Sequence, residues 1–377
     1  MQAKIESIDA GAELLTVDWA GGGSDHYPWT WLRDHGEDEA SLDPGTLQRR
    51  VDTFAIDPGL RGIDVQVAGN GEALTVAWSD NSPATTLSAA RLAECAGRLP
   101  EEGTLSPDHP RLYWAAGSLP DPVPNVAFEA VRSGDSGLGA WLRNIHVYGF
   151  SVVTGVPATD EGTVELATRL APAKQTIFGD FWRLSAELAD HGDTAYSTQY
   201  LDPHTDSTYY HDAPGLQMFN CLEFDGKGGE SVLVDAFAIA RAMHEETPEH
   251  YETLSRVVVP GRYLEPGVHL RAERPPFRHD REGNLVQVTF NNYDRAPFLL
   301  PADEMAAFYA AYGEFHRRAS DQDNWLKIPL RPGMTLIFDN WRCLHGRMGY
   351  VGKRVFYGCY HDRADYESRL RTVGAAA

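Results

Sequence analysis

The sequence is poor in the features that mark several classes of protein. Its four cysteines show no paired or CxxC spacing, which argues against a disulfide framework. Acidic residues outnumber basic ones by 54 to 33, and the net charge of −21 argues against nucleic acid as a partner. No apolar run is long enough to cross a membrane, and the first residues lack the apolar core of a signal peptide. We therefore expect a cytoplasmic protein without membrane contact, and the lack of a transit segment is more typical of a bacterial source.

Two histidines and one carboxylate stand out among the residues that are present. His204 and Asp206 flank Thr205, so in an extended strand both side chains point to the same face. His345, after the apolar segment 335–338, can complete a triangle around one ion. Such a set leaves three octahedral positions open and is typical of non-haem iron(II) oxygenases, whereas structural zinc is closed by four protein ligands. Taken alone, the His-x-Asp pair also fits a solvated strand.

Two further features accompany this set. Arg354, shortly after His345, can bind a carboxylate through its guanidinium fork, although a surface arginine is the simpler interpretation of that residue alone. The segment 178–210 is dense in aromatic residues, which bind quaternary ammonium groups by cation–π attraction. Ordinary core packing is the alternative, and on the residues alone it is the favoured one. The aromatic residues of this segment are Phe178, Phe181, Trp182, Tyr196, Tyr200, Tyr209 and Tyr210.

Several short motifs follow one another along the chain. They are Asp193-Thr194-Ala195-Tyr196, His204-Thr205-Asp206, Gly228-Gly229-Glu230-Ser231, Asn291-Asn292-Tyr293-Asp294-Arg295-Ala296 and Asp339-Asn340-Trp341-Arg342. In this order they resemble the 2-oxoglutarate-dependent oxygenases of the taurine dioxygenase superfamily, and within it the γ-butyrobetaine and trimethyllysine hydroxylases. The trimethyllysine branch is the most similar, and the segments 31–35 and 48–50 extend the resemblance to nearly the whole chain.

The resemblance implies a role for each matching residue. Iron(II) would be held by His204, Asp206 and His345. Arg354 and Ser231 would bind the distal carboxylate of the cosubstrate 2-oxoglutarate, with dioxygen as the oxidant and ascorbate as the reductant used in vitro. A small trimethylammonium zwitterion would be the substrate, held by an aromatic cage, an acidic residue and an anion clamp. The cage would be Tyr196, Trp182, Phe178 and Tyr360, and Tyr209 and the acidic Asp193 would be further substrate-binding residues. Asn292 would bind the substrate's carboxylate, and our hypothesis is that Asn291 and Arg295 contribute to the same anion clamp.

The chain departs from these relatives at two places. Many of them carry zinc-binding cysteines in the first domain, but residues 36–41 contain none, so we predict no structural zinc. Asp193 stands where the butyrobetaine enzymes have an asparagine that meets the substrate's carboxylate. An aspartate repels a carboxylate and can pair with a cation, which argues against γ-butyrobetaine as the substrate.

The pattern of apolar residues predicts two domains, mainly β with flanking helices. Residues 1–100 are expected to form a small β-rich domain, and the proline-rich residues 101–125 a linker. Residues 126–377, with both metal-ligand segments in β context, are predicted to form a double-stranded β-helix, or jelly roll. Helices are predicted at 89–94, 137–146, 161–171, 235–246 and 302–319, and strands at 14–19, 62–67, 73–78 and 149–153.

Three trimethylammonium zwitterions fit these expectations. We favour 2-(trimethylammonio)ethylphosphonate, then trimethyllysine, then γ-butyrobetaine, because a bacterial source suits organophosphonate catabolism better than carnitine synthesis. A zinc hydrolase with the same three ligands is an alternative, but no general base accompanies them. A non-catalytic betaine-binding module is another, but it would need neither the metal ligands nor Arg354. Relatives of this kind are often homodimers, and we expect a homodimer here.

Overall fold

A computed structural model describes residues 3–99, 110–185 and 197–374. The chain forms two compact units, Met1–Thr104 and Leu105–Ala377. The described part of the predicted linker belongs to the second unit. The backbone N–H of Leu112 donates to the carbonyl of Val147, and the buried indole of Trp114 donates to that of Tyr148 at 2.7 Å. Leu112 and Trp114 are thus hydrogen-bonded to other residues of the second unit, and the predicted domain boundaries stay predictions.

The described residues of the first unit form two three-stranded antiparallel sheets, β1-β2-β3 and β4-β5-β6, with two short α-helices. In β2 every second side chain is buried, as the alternation of its sequence predicts. Both sheets contribute to one hydrophobic core that includes Val17, Trp29 and Val76. The elements are β1 (Ile5–Ala10), β2 (Leu14–Trp19), β3 (Ser24–Pro28), α1 (Trp29–Asp34), β4 (Gly62–Val67), β5 (Ala73–Trp78), β6 (Thr85–Ser88) and α2 (Ala89–Cys95).

Most strands of the second unit belong to two sheets. As far as the chain is described, one has the order β10-β19-β12-β17 and the other β7-β8-β18-β11-β20-β9. Within them all pairings are antiparallel except that of β7 with β8. The strands are β7 (Asn125–Ala127), β8 (Phe150–Thr154), β9 (Phe181–Leu184), β10 (Leu201–His204), β11 (Leu216–Gly228), β12 (Ser231–Asp235), β13 (Val259–Glu265), β14 (Val268–Arg274), β15 (Phe277–His279), β16 (Leu285–Val288), β17 (Leu326–Ile328), β18 (Met334–Asp339), β19 (Cys343–Arg347) and β20 (Tyr350–His361).

The two sheets share a core, as the predicted jelly roll requires. Phe219 of β11 and Phe356 of β20 lie in the same buried cluster as Leu233 of β12. The hairpins β13-β14 and β15-β16 and the helices lie outside these sheets. The helices are α3 (Phe128–Ser133), α4 (Asp135–Tyr148), α5 (Asp160–Leu170), α6 (Ala236–Glu246), α7 (Pro248–Arg256), α8 (Ala302–Ala319) and α9 (Arg363–Arg369), followed by the π-helical segment Leu370–Gly374.

Local signals explain where two of the predicted helices begin and end. Helix α4 ends at Gly149, whose φ of 80° is left-handed and therefore favours glycine. Helix α6 begins after Asp235, whose carboxylate accepts hydrogen bonds from the backbone N–H groups of Phe237 and Ala238. Asp235 also pairs with Arg342 inside the protein, so this helix start is tied to the segment that precedes β19. None of the helices in the described ranges is long and apolar enough to cross a membrane.

Candidate active site

His204, Asp206 and His345 come together as the sequence predicts. Their ligand atoms all lie within 4.8 Å of one another, in a group that could share one metal ion. One carboxylate oxygen of Asp206, Oδ1, is 3.3 Å from Nε2 of His204 and 3.6 Å from Nε2 of His345. Both histidines are buried, and the carboxylate is partly exposed. The donor set, two imidazole nitrogens and one carboxylate oxygen, suits iron(II).

The backbone brings the three residues together in two different ways. His204 ends β10 and is the register partner of His345 on β19, so sheet pairing aligns the two histidines. Asp206 lies beyond the end of β10, and strand alternation therefore does not place it, contrary to the expectation from the sequence. The buried side chain of Asn340 holds it instead: Asn340 Oδ1 accepts from the Asp206 N–H at 2.8 Å, and Nδ2 donates to the Asp206 carbonyl at 3.2 Å.

The two imidazoles are oriented differently. Nδ1 of His204 lies 2.7 Å from the carbonyl oxygen of Asp202, which fixes the proton on Nδ1 and leaves the Nε2 lone pair for a metal. Nδ1 of His345 is buried and has no hydrogen-bond partner among the described residues. The His345 ring lies against Phe338, with 4.8 Å between centroids, so packing sets its orientation. Burial lowers the pKa of His345 to about 3, which keeps this imidazole neutral.

The second carboxylate oxygen of Asp206 is held by two donors. Gln217 Nε2 and the hydroxyl of Tyr360 each donate to Oδ2 at 2.7 Å. Burial alone raises the pKa of Asp206, but the two histidines and the Tyr360 hydrogen bond outweigh it and lower that pKa. The carboxylate is therefore ionised, with Oδ2 engaged by the protein and Oδ1 turned to the histidines.

The triad opens into a cavity that also holds the predicted cosubstrate residues. Arg354 and Ser231 both line it and are both buried. The Nε atom of Arg354 has no hydrogen-bond partner in the described parts of the chain, and the guanidinium lies 3.8 Å from the centroid of the Phe356 ring. Burial, and then Arg347, lower the pKa of Arg354 to about 10, so the group remains cationic at neutral pH. A buried cation with an orphaned donor fits the carboxylate of 2-oxoglutarate.

Three of the predicted cage residues, Phe178, Trp182 and Tyr360, line the same cavity, as does the predicted substrate-binding residue Tyr209. The ring centroids of Trp182 and Tyr360 are 5.3 Å apart. Trp182 fits there because Gly358, its partner on β20, has no side chain; a Cβ at that position would lie 2.7 Å from the indole. The other two predicted residues of this region, Asp193 and Tyr196, lie outside the described residues.

The predicted anion clamp is not assembled in this cavity. Asn291 lines it, but its Nδ2 donates to the Thr205 carbonyl and to Asp294, and its Oδ1 accepts from the backbone N–H groups of Tyr293 and Asp294. Its amide is thus engaged by the protein itself. Asn292 and Arg295 line a neighbouring cavity instead, where Arg295 lies over the rings of Tyr309 and Tyr312. Residues adjacent in sequence here face different directions, because the segment is irregular.

Several residues of the site were not predicted. Gln217 and Asp294 line the cavity, and Asn340 holds Asp206 from behind it. A glutamine inside the apolar strand β11 was a usable signal, because a buried polar side chain normally has a hydrogen-bonding task. Asn340 and Asp294 belong to motifs that were recognised, but the sequence carried no sign of where their side chains point.

Comparisons with known proteins agree with this geometry. Residues 115–360 match the family described as taurine catabolism dioxygenase TauD, TfdA family. The chain is 32% identical to a trimethyllysine dioxygenase of Meyerozyma guilliermondii, covering 99% of this chain and 96% of the relative. It is also 32% identical to the mitochondrial trimethyllysine dioxygenase of Gallus gallus (93% and 84% covered) and 26% identical to the γ-butyrobetaine dioxygenase of Pongo abelii (98% and 96%).

These relatives are fungal and vertebrate, so they give no support to the bacterial source expected from the sequence. The family match, by contrast, includes the whole cavity, from Phe178 to Tyr360. For that reason we conclude that the chain belongs to the TauD, TfdA family and is a non-haem iron dioxygenase that uses 2-oxoglutarate.

Proposed function

We propose that this enzyme hydroxylates a C–H bond of trimethyllysine. The observation that carries the proposal is that the metal triad, a buried arginine and several aromatic side chains line one cavity. Relatives named trimethyllysine dioxygenase, at 32% identity over nearly the whole chain, support the choice of substrate. The preference for 2-(trimethylammonio)ethylphosphonate that we drew from the sequence finds no support in these relatives.

Each group of residues has a defined task in this proposal. Iron(II), bound with 2-oxoglutarate and dioxygen, supplies the oxidising chemistry. His204, Asp206 and His345 would hold the metal. Gln217 and Tyr360 each donate a hydrogen bond to Oδ2 of Asp206 and so fix the orientation of this carboxylate.

The remaining residues orient the two organic molecules. Arg354 binds the distal carboxylate of 2-oxoglutarate, with Ser231 beside it in the cavity. Phe178, Trp182 and Tyr209 present aromatic surface to the trimethylammonium group, at roughly 0.5–2 kcal/mol for each cation–π contact. A rigid position for this end of the substrate selects the C–H bond that faces the metal.

The test is succinate formation under air with iron(II), ascorbate and 2-oxoglutarate. Trimethyllysine, γ-butyrobetaine and 2-(trimethylammonio)ethylphosphonate are compared in parallel, with a reaction lacking substrate as the control for uncoupled turnover. We expect trimethyllysine to give the largest kcat/KM and a hydroxylated product in a one-to-one ratio with succinate. A larger kcat/KM with either of the other compounds would contradict this choice of substrate.

The expected homodimer is a separate proposal, and it is supported only by the resemblance to enzymes that are often homodimers. Light scattering coupled to size-exclusion chromatography of the iron-loaded enzyme tests it directly, and a mass near 41.7 kDa, that of a single chain, would contradict it.

A further inference from the structure

The turn between β18 and β19, residues 339–342, is fixed at both ends by a buried ion pair. Its first residue, Asp339, accepts a hydrogen bond from Nη1 of Arg363 at 2.6 Å, and both side chains are buried. Its last residue, Arg342, pairs with the buried Asp235 at 2.7 Å. The backbone N–H of Arg342 also donates to the carbonyl of Asp339 at 3.1 Å, which closes the turn. Each end of the turn is thus tied to a residue from another part of the chain.

Asn340, inside this turn, is the residue that holds the metal ligand Asp206. Its side-chain amide bonds to both the N–H and the carbonyl of Asp206. Asp339 braces the backbone of the turn, because its Oδ1 accepts from the Trp341 N–H at 2.9 Å while its Oδ2 binds Arg363. One carboxylate therefore connects the first residue of α9 with the turn that carries Asn340.

A second contact joins Arg363 to Asn340 by way of the backbone at Gly215. The carbonyl of Gly215 accepts from the backbone N–H of Asn340 at 2.9 Å, and that of Pro214 accepts from the Asn340 side chain at 3.0 Å. A Cβ on residue 215 would lie 2.5 Å from the Cα atom of Arg363, so only glycine allows the two segments to approach this closely. Arg363 therefore contacts both of the segments that fix Asn340.

The other contacts of Arg363 fix its own orientation. Its Nε donates to Oε1 of Glu367, one turn later in α9, at 2.7 Å. Its guanidinium lies 5.3 Å from the centroid of the Trp341 ring. The guanidinium thus bridges two carboxylates, which its planar fork can do and the single ammonium of a lysine does poorly.

We propose that Arg363 is a positioning residue for the metal ligand Asp206, and that it acts through the turn that carries Asn340. Arg363 is not among the described residues that line the active-site cavity, so its effect on the metal passes through this network of hydrogen bonds. Such a network keeps a ligand in place because each member takes its direction from the next. The inference concerns the metal triad and does not depend on which substrate the enzyme hydroxylates.

The experiment is a double-mutant cycle on iron(II) affinity. Iron(II) is titrated anaerobically into the metal-free wild type, Arg363→Gln, Asn340→Ala and the double variant, with no substrate present. Arg318→Gln is the matched control, because Arg318 on α8 also bridges two carboxylates, those of Glu314 and Glu246. Thermal unfolding of each variant measures its stability.

We expect Arg363→Gln to weaken iron affinity by about tenfold, whereas Arg318→Gln should leave it within about twofold, although both variants lower the Tm. In the Asn340→Ala background, adding Arg363→Gln should change iron affinity by less than about twofold, because the link is already broken. Losses that multiply in the double variant would overturn the proposal, since Arg363 would then act by another path. A lower Tm with unchanged iron affinity in Arg363→Gln would also overturn it, because the ion pair would then serve the fold alone.

A second variant keeps the test decisive if Arg363→Gln does not fold. Asp339→Asn has the same shape and retains an oxygen that accepts from Trp341, but the loss of its charge weakens the bond to Arg363. It should reduce iron affinity by about three- to tenfold, and by less than about twofold in the Asn340→Ala background. An iron affinity equal to that of the wild type in Asp339→Asn would contradict the role of this network.

Discussion

The loop after β10 and the loop after β16 are built alike but present their side chains very differently. The side-chain amide of a buried asparagine holds the backbone of each loop. For the first loop this asparagine comes from the segment before β19, and for the second it lies in the loop itself. Asn340 bonds to the N–H and the carbonyl of Asp206, and Asn291 accepts from the N–H groups of Tyr293 and Asp294. The first loop presents the side chain that the sequence predicts. The second turns two predicted residues away from the cavity and presents Asp294 in their place.

This difference between the loops shows how much a sequence motif can say about the direction of its side chains. His204 and His345 lie on paired strands, where register fixes both the position and the direction of a side chain. Asn292 and Arg295 lie in an irregular segment, where neighbouring residues have no fixed period of direction. A motif in such a segment indicates which residues are near the site, but not which of them face it.

The largest expected effect comes from the first loop. Asp206→Ala removes the carboxylate from the triad, so we expect iron(II) binding and succinate formation to fall below detection. Iron content after anaerobic reconstitution measures iron(II) binding, and the succinate assay measures turnover. An unchanged circular dichroism spectrum shows that the fold is retained. Full iron content in this variant would contradict the assignment of Asp206 as a ligand.

Alanine variants of Asn340 and Asn291 form a matched pair that tests the difference between the two loops. Asn340→Ala strands the N–H and carbonyl of Asp206, so we expect a loss of stability of about 2–4 kcal/mol and iron affinity about 10- to 100-fold weaker. Asn291→Ala should destabilise the protein by a similar amount. It should leave iron affinity within about threefold, because Thr205 and Phe290 keep their own hydrogen bonds, and mainly raise the KM for trimethyllysine.

Chemical denaturation measures stability for both asparagine variants, and anaerobic iron titration measures metal affinity. The same weakening of iron binding in both variants would show that the two loops act as one unit, and the contrast between them would then be lost.

A variant of Tyr360 can distinguish two roles of this residue, as a wall of the aromatic cage and as a hydrogen-bond donor to the metal ligand Asp206. Tyr360→Phe keeps the ring that lines the cavity and removes the hydroxyl that donates to Asp206. We expect iron(II) affinity to fall by about tenfold, while the KM for trimethyllysine changes by less than about twofold. A change in KM without a change in iron affinity would favour the cage role alone.

The smallest expected effect concerns the side chains that point away. Asn292→Ala and Arg295→Ala, singly and together, should leave the KM for trimethyllysine within about twofold, because both residues line the neighbouring cavity. Steady-state succinate kinetics measure this. A tenfold increase in KM in the double variant would support the anion clamp predicted from the sequence. It would also contradict the conclusion that these two side chains of the second loop do not serve the active site.

The sequence by itself determined the chemistry and much of the fold. The ligand types, their order and the neighbouring motifs indicated the metal, the cosubstrate and the jelly roll, because these depend on which residue types are present and on regular apolar patterns. The helix predicted at 302–319 and the strand predicted at 14–19 agree with the structure because their patterns are long and regular. Helix α7 has only nine residues, of which one is buried, and it was not predicted.

Only the tertiary structure decided how the side chains of the loops are used. The amide of Asn291, predicted to bind substrate, is engaged by backbone and side-chain partners, and the hydroxyl of Tyr360 holds Asp206. These outcomes depend on hydrogen bonds between residues that are far apart in the sequence, such as Asp206 and Asn340. Local residue patterns cannot contain that information, because a buried polar group takes its direction from whichever partners the fold brings to it.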